Sequence, residues 1–168
     1  KFGHFEVTPK DTLGVHASII PRVRGKTVML AMLIPWIMHK LTEPITQENI
    51  EEAATFAKLH GEPFNREGWE LVLNKYDGLL PITIRGVPEG MPIKSGLPLV
   101  FIECTIPELS WLVGWIEASI QRAVWSCSTV ASRDYEFKKD LKLLYENSGS
   151  PLEDLEFALH DFGARGVT

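Results

Sequence analysis

Cysteine is scarce in this chain. Cys104 and Cys127 are the only two in 168 residues, and they form no CxxC pair. Neither has a histidine at metal-ligand spacing, so the sequence offers no disulfide framework and no zinc site. Both thiols are expected to be reduced and mostly buried, in a cytosolic protein. Basic residues are also in the minority: 17 Lys and Arg stand against 22 Asp and Glu, for a net charge of -5. That excludes the broad basic footprint by which proteins displace counterions from nucleic acid, though not a local basic pocket for phosphates. Long hydrophobic runs are missing too. The most apolar stretch, Val28–Met38, is too short to span a bilayer and contains Pro35. It begins well inside the chain and no A-x-A site follows, so it is not a signal peptide.

Several catalytic signatures are absent as well. There is no HExxH, no GxSxG and no GxGxxG. Gly25-Lys26-Thr27 resembles the end of a phosphate-binding loop, but the glycine required five positions earlier is Ile20. The five histidines, at 4, 16, 39, 60 and 160, do not pair on one face at ligand spacing, so no metal site is expected. There is no internal repeat and no low-complexity tract.

What is present describes an ordinary globular chain: 45% hydrophobic and 23% charged residues. At this length folding should bury roughly 70% of the unfolded surface, so a core forms without staples. Val15–Ile20 reads as a short strand, and Thr27–Leu41 as a buried helix that Pro35 kinks. Thr46 is a good N-cap for a helix over Gln47–His60, closed by Gly61. Asn65 caps a shorter helix carrying Trp69, Leu71 and Val72, and Asp77-Gly78 supplies turn chemistry. Leu80–Arg85 and Leu99–Glu103 read as strands of a small antiparallel unit.

From Pro107 the period is helical, with Leu109, Leu112, Val113, Ile116, Ile120 and Val124 on one stripe. Trp111 and Trp115 lie four apart there and are expected to pack in the core. The polar cluster Ser126–Thr129 marks a break, after which Val130–Glu146 continues as an amphipathic helix. Asn147–Pro151 is a loop and Leu155–Leu159 a candidate strand. The fold class is α+β, with no regular βαβ alternation. The expected domains are an N-terminal α+β unit over 1–154, including the helical segment 107–147, and the start of a second domain over 155–168. The chain begins at Lys1 and stops at Thr168 in a Gly-rich turn, so it reads as a trimmed or cleaved part of something longer.

One segment carries chemistry. In His160–Thr168 a charged pair, His160-Asp161, an aromatic, Phe162, and a cation, Arg165, are interleaved with Gly163 and Gly166. Glycines let the backbone turn tightly or approach a ligand. Phe162 offers a π-face for an aromatic base, and Arg165 a planar fork for phosphate or carbonyl oxygens. A glycine turn with a solvated arginine is the alternative.

The run LHDFGARGVT at Leu159–Thr168 resembles the HDFGxRG segment of nicotinamide phosphoribosyltransferases. FNREGWELVLNKYDGLLPI at Phe64–Ile82, VPEGMPIKSGLPLVFIECT at Val87–Thr105 and WLVGWIEA at Trp111–Ala118 resemble further blocks of that family, in family order. KFGHFEVTPKDT at Lys1–Thr12 does so more loosely.

The resemblance implies a pentosyltransferase of NAD biosynthesis. It would make nicotinamide mononucleotide and pyrophosphate from nicotinamide and phosphoribosyl pyrophosphate. It implies the N-terminal part of a homodimeric, cytoplasmic enzyme with a site shared between subunits. The second domain would begin a type II phosphoribosyltransferase barrel. Mg2+ would come with phosphoribosyl pyrophosphate, and ATP would act as an activator. By the same resemblance Phe162 stacks on the nicotinamide ring and Arg165 contacts substrate. His160 and Asp161 line or brace the pocket, and Arg22, in SIIPR, approaches the pyrophosphate end.

The family's second stacking aromatic precedes the position of Lys1. Its amide-selecting acid, phosphate loops and catalytic histidine fall beyond Thr168. No residue here is therefore assigned as catalytic, and this stretch alone is expected to be inactive. The alternatives are a nicotinate phosphoribosyltransferase and a non-catalytic half that only binds or dimerises.

Overall fold

In the computed structural model, which describes residues 2–161, the strongest sequence signals become the frame. Strand β5 (Val100–Cys104) is the centre of a three-stranded antiparallel sheet. Strand β1 (Val15–Ile19) pairs with one edge, setting Val15 opposite Cys104, and β3 (Thr83–Gly86) pairs with the other, setting Gly86 opposite Val100. The alternation of a half-buried strand is plain in β5. Val100, Ile102 and Cys104 point into the core while Phe101 and Glu103 do not. On the outer face Arg85 of β3 bonds Glu103 at 2.9 Å. A second, two-stranded sheet pairs β2 (Thr27–Val28) with β4 (Ile93–Lys94).

The inner face of the large sheet is covered by helix α5 (Leu112–Ser148). Its first half buries Leu112, Val113, Ile116, Ile120 and Val124, the stripe expected from the sequence. The helix starts from a 3₁₀ turn over Pro107–Leu109 and ends at Gly149, whose φ of 73° is the usual left-handed C-terminal stop. A short helix α1 (His4–Val7) precedes the sheet.

Helices α3 (Gln47–Leu59) and α4 (Arg66–Lys75) form where the caps predicted them. Thr46 and Asn49 make a reciprocal capping box on α3, and Asn65 accepts the Gly68 N–H on α4. The Gly-Trp pair in α4 has a packing reason. A Cβ on Gly68 would come within 2.8 Å of the Trp111 ring, so only glycine lets the two helices approach. Trp69 then meets Trp111 edge to face at 4.9 Å. Trp111 is core, as expected, with its indole N–H donated to the Glu108 carbonyl. Trp115 is half-buried. Cys104 is buried and Cys127 half-buried, both free. Gly78 closes α4 at φ 76°, and a Cβ there would land on the Ile45 carbonyl oxygen.

Three expectations are corrected. The helix read over Thr27–Leu41 is shorter, because its first residues form β2 and an extended run; α2 covers only Leu33–Lys40. Pro35 thus falls in the first turn of α2, where its missing N–H breaks no helical bond and no kink is needed. The break read at Ser126–Thr129 is absent, because α5 runs through it. Thr129 and Ser132 return their hydroxyls to the Trp125 and Ser128 carbonyls, which satisfies them inside the helix. The strand read at Leu155–Leu159 is instead a 3₁₀ turn, Leu152–Phe157. It pairs with no described strand, and Leu155 buries itself against α5.

The N-terminus of α2 has no side-chain cap of its own. Met32, the capping residue, sits at φ 70°. Glu89, in the Pro-Glu-Gly turn, replaces it from 57 residues away. Its carboxylate accepts the Met32 N–H at 3.1 Å and the Ile34 N–H at 2.7 Å. This is the chemistry of an anionic cap at the positive end of a helix. Glu89→Ala should therefore lower stability by about 1–2 kcal/mol. A urea titration should show a lower midpoint with an unchanged slope.

Arg66 on α4 grips Glu51 on α3 with both terminal nitrogens, at 2.7 and 2.9 Å. That grip, helped by Gln47, holds the Glu51 carboxyl down to about 2 from an ordinary 4.5. The folded state keeps Glu51 ionised where the unfolded chain protonates it. Its contribution is complete above pH 4.5 and fades as pH falls toward 2. The melting-temperature gap between the wild type and Glu51→Gln should be widest above pH 4.5 and close toward pH 2.

Candidate functional site

A deep recess opens where β1 ends. The loop after Ile19 leaves the sheet edge and returns at Thr27 as β2, and between them it carries Arg22 and Lys26. Facing it is the middle of α5. The two walls enclose a cleft of about 1060 Å³. That is at the upper end of what small-molecule sites offer.

The wall leading out of β2 is fixed by hydroxyls. Beyond Val28 the chain has no strand partner, so the N–H groups of Met29 and Ala31 need acceptors. Ser132 and Ser128, one turn apart on α5, supply them at 2.9 and 3.0 Å. Helix α5 thereby stands in for a neighbouring strand, bonding alternate residues of an extended segment.

The chemistry of the lining divides by height. The floor is apolar, with Ile19 and Val28 from the strands, Leu99 just before β5 and Val124 from the helix. Trp125 lies on the α5 wall and is 60% exposed. The rim is cationic. Arg22 and Lys26 stand on the loop, and Arg122 and Arg133 on the helix. Two carboxylates share the lining, and both have partners. Glu117 accepts from Gln121, and Glu136 from Lys139. A rim of this sign suits a phosphorylated ligand better than a cation.

The residues expected from the sequence separate here. Arg22 is exposed and lines this cleft. His160 and Asp161 are exposed just past the 3₁₀ turn and do not line it. Phe162 and Arg165 lie outside the described residues. Sequence reasoning missed Arg122, Trp125 and Arg133. The available signal was their position on the edge of a single helix, which the supposed break at Ser126–Thr129 concealed.

Among the described residues no group of three or more His, Cys, Asp or Glu could hold a metal ion. The described residues therefore hold no ready-made site for a resident Mg2+. Among them, too, no helix is long and apolar enough to cross a membrane.

The profile described as "Nicotinamide phosphoribosyltransferase, N-terminal domain" matches residues 1–84. A nicotinamide phosphoribosyltransferase of Xanthomonas campestris pv. campestris (strain 8004) is 38% identical over 133 residues, covering 79% of this chain and 28% of that protein. Another, of Acinetobacter baylyi (strain ATCC 33305 / BD413 / ADP1), is 31% identical over 91 residues, covering 54% of this chain and 18% of that protein. The matched region is thus less than a third of the length of either relative.

The helix-for-strand bonding gives a direct test of how the cleft wall is held. Ser132→Ala leaves the Met29 N–H without its acceptor, which should cost about 1–3 kcal/mol. Amide hydrogen exchange at Met29 should accelerate, while exchange in β5 should change only with global stability. Unchanged protection at Met29 would show that the wall does not depend on this bond.

Proposed function

The chain belongs to the nicotinamide phosphoribosyltransferase family, and from that premise we propose that it serves an enzyme that makes nicotinamide mononucleotide. The intact protein, of which this chain would be the N-terminal part, transfers phosphoribose from phosphoribosyl pyrophosphate to the ring nitrogen of nicotinamide. Pyrophosphate leaves. The observation that carries the reading is the match of the N-terminal domain profile over residues 1–84. The place of Arg22 in the lining of the cleft between the β1–β2 loop and α5 supports it.

The reaction asks for two things. As pyrophosphate departs, positive charge builds on the ribose, so catalysis rests on positioning the attacking nitrogen and stabilising the leaving phosphates. Phe162 fixes the pyridine ring by stacking, and Arg165 holds substrate beside it. His160 and Asp161 brace that pocket, and Arg22 meets the pyrophosphate end. The working form is a cytoplasmic homodimer that completes each ring site with an aromatic residue from the other subunit. Mg2+ arrives on the phosphates of the substrate.

Phe162→Ala in the intact enzyme tests the ring site. Loss of a stacked base costs about 1–3 kcal/mol in nucleic-acid complexes, and a pyridine belongs at the lower end. The KM for nicotinamide should rise about five-fold, with little change in melting temperature. A core phenylalanine would behave in the opposite way, losing about 3–5 kcal/mol of stability with KM unchanged. Turnover of nicotinate faster than nicotinamide by the wild type would move the assignment to the acid.

A further inference from the structure

Arg22 stands on a loop that does not hold itself in place. Arg22, Val23, Arg24 and Gly25 make no hydrogen bond or ion pair with a described residue. All four are exposed, and Gly25, at φ 66°, lets the chain reverse. A solvated loop of this kind cannot fix a side chain against a cleft unless something outside it fixes the loop.

That support comes from the turn Lys94–Leu97, which joins β4 to the run before β5. The Leu97 N–H closes the turn on the Lys94 carbonyl at 3.4 Å. Its third residue, Gly96, has a φ of 91°, the left-handed conformation that the third residue of a type II turn adopts. The two amides inside the turn meet the two feet of the loop. Ser95 donates its N–H to the Lys26 carbonyl at 2.9 Å, and Gly96 donates to the Pro21 carbonyl at 3.2 Å. Adjacent donors thereby draw together two residues that flank the whole of Arg22–Gly25. The pairing continues into β2 and β4, where Thr27 lies opposite Lys94. Arg22 and Lys26 line the cleft, whereas Ser95 and Gly96 do not.

We propose that the Lys94–Leu97 turn positions Arg22, with the amides of Ser95 and Gly96 clamping the base of its loop and Gly96 allowing the turn to present both. That Arg22 then serves the pyrophosphate end rests on the phosphoribosyltransferase reading. The clamp itself rests on the two hydrogen bonds and the glycine. Ser95 and Gly96 are positioning residues, not catalytic ones. A Cβ at Gly96 would meet nothing within 4 Å, so Gly96→Ala disturbs the turn through its backbone conformation and not through a clash.

The test uses the intact protein and has two arms. Trypsin cuts after Arg22, Arg24 and Lys26, and a folded loop is cut only when it opens, so nicking reads the clamp without the reaction. Gly96→Ala should speed nicking there about ten-fold, the strain of a Cβ in the left-handed region expressed as a ratio. Gly96→Asn, whose side chain tolerates that region, should recover part of the protection. Gly61→Ala puts the same strain at φ 69° in open space after α3, and should leave nicking of this loop alone. The second arm is a double-mutant cycle. Arg22→Ala should raise KM for phosphoribosyl pyrophosphate about ten-fold, one charge-assisted contact. Gly96→Ala should raise it too and leave KM for nicotinamide alone. The double variant should be no worse than Arg22→Ala, because the turn acts through that side chain.

The clamp and the enzymatic reading fail separately. Nicking of Gly96→Ala at the wild-type rate overturns the clamp, whatever the activity. Additive effects in the cycle overturn the positioning of Arg22, because the turn would then act by another route. If nicking accelerates in Gly96→Ala but Arg22→Ala leaves KM for phosphoribosyl pyrophosphate unchanged, the clamp stands and the assignment of Arg22 to the pyrophosphate end falls. A wild type that makes no nicotinamide mononucleotide overturns the enzymatic reading and leaves the clamp to be decided by the nicking rates.

Discussion

Helix α5 runs unbroken for 37 residues, and the two halves of that length meet different demands. The first half is a hydrophobic plate. Ile116, Ile120 and Val124 lie against the inner residues of β5, and burying each such side chain stabilises by about 1.5–3 kcal/mol. That contact fixes where the helix axis lies relative to the sheet. Everything further along α5 inherits its position from it, because a helix transmits direction over its whole length. The hydroxyls of Ser128 and Ser132 then meet the backbone of Met29 and Ala31, and the loop before them is brought opposite the helix. The cleft is the space left between a wall anchored by hydrophobic packing and one anchored by two hydrogen bonds.

Long-range capping serves the same end. The Pro-Glu-Gly turn lies between β3 and β4, and through Glu89 it fixes the start of α2. Gly90 also donates its N–H to the Leu30 carbonyl at 3.0 Å. The extended run from β2 to α2 is therefore held from two directions, by α5 on one side and by this turn on the other. That double constraint explains why a segment as apolar as Val28–Met38 is not simply a helix. Its first residues are committed to pairing before the helix can begin.

The same logic separates what the sequence discloses from what it hides. Caps are local, so Thr46 and Asn65 announced α3 and α4 at once, and the stripe from Leu112 to Val124 announced the buried half of α5. Errors arose where tertiary partners decide. Nothing within Thr27–Leu41 shows that Ser128 and Ser132 will capture its backbone, about a hundred positions away. Nothing near Leu155 shows that it will turn onto α5 and not pair with a strand. The Ser126–Thr129 cluster misled for a subtler reason. Serine and threonine are poor helix residues when their hydroxyls compete with the backbone, yet here the hydroxyls bond back along the helix or across it. The candidate site was partly legible. Arg22 came from resemblance, whereas Arg122 and Arg133 became visible only once α5 was known to be continuous.

The distribution of charge carries this one step further. Between α3 and α4, Arg66 is neutralised by two glutamates on the surface, and such a pair contributes little beyond aligning the helices. In the cleft, Arg22, Lys26, Arg122 and Arg133 make no ion pair with a described residue, and the two carboxylates of the lining, Glu117 and Glu136, have other partners. Like charges held around a recess repel one another, which costs stability unless an anion offsets it. Four cations on the walls of one cleft, against two carboxylates that already have partners, are the physical reason to look for an anionic ligand on the α5 side rather than on the acidic face of α3.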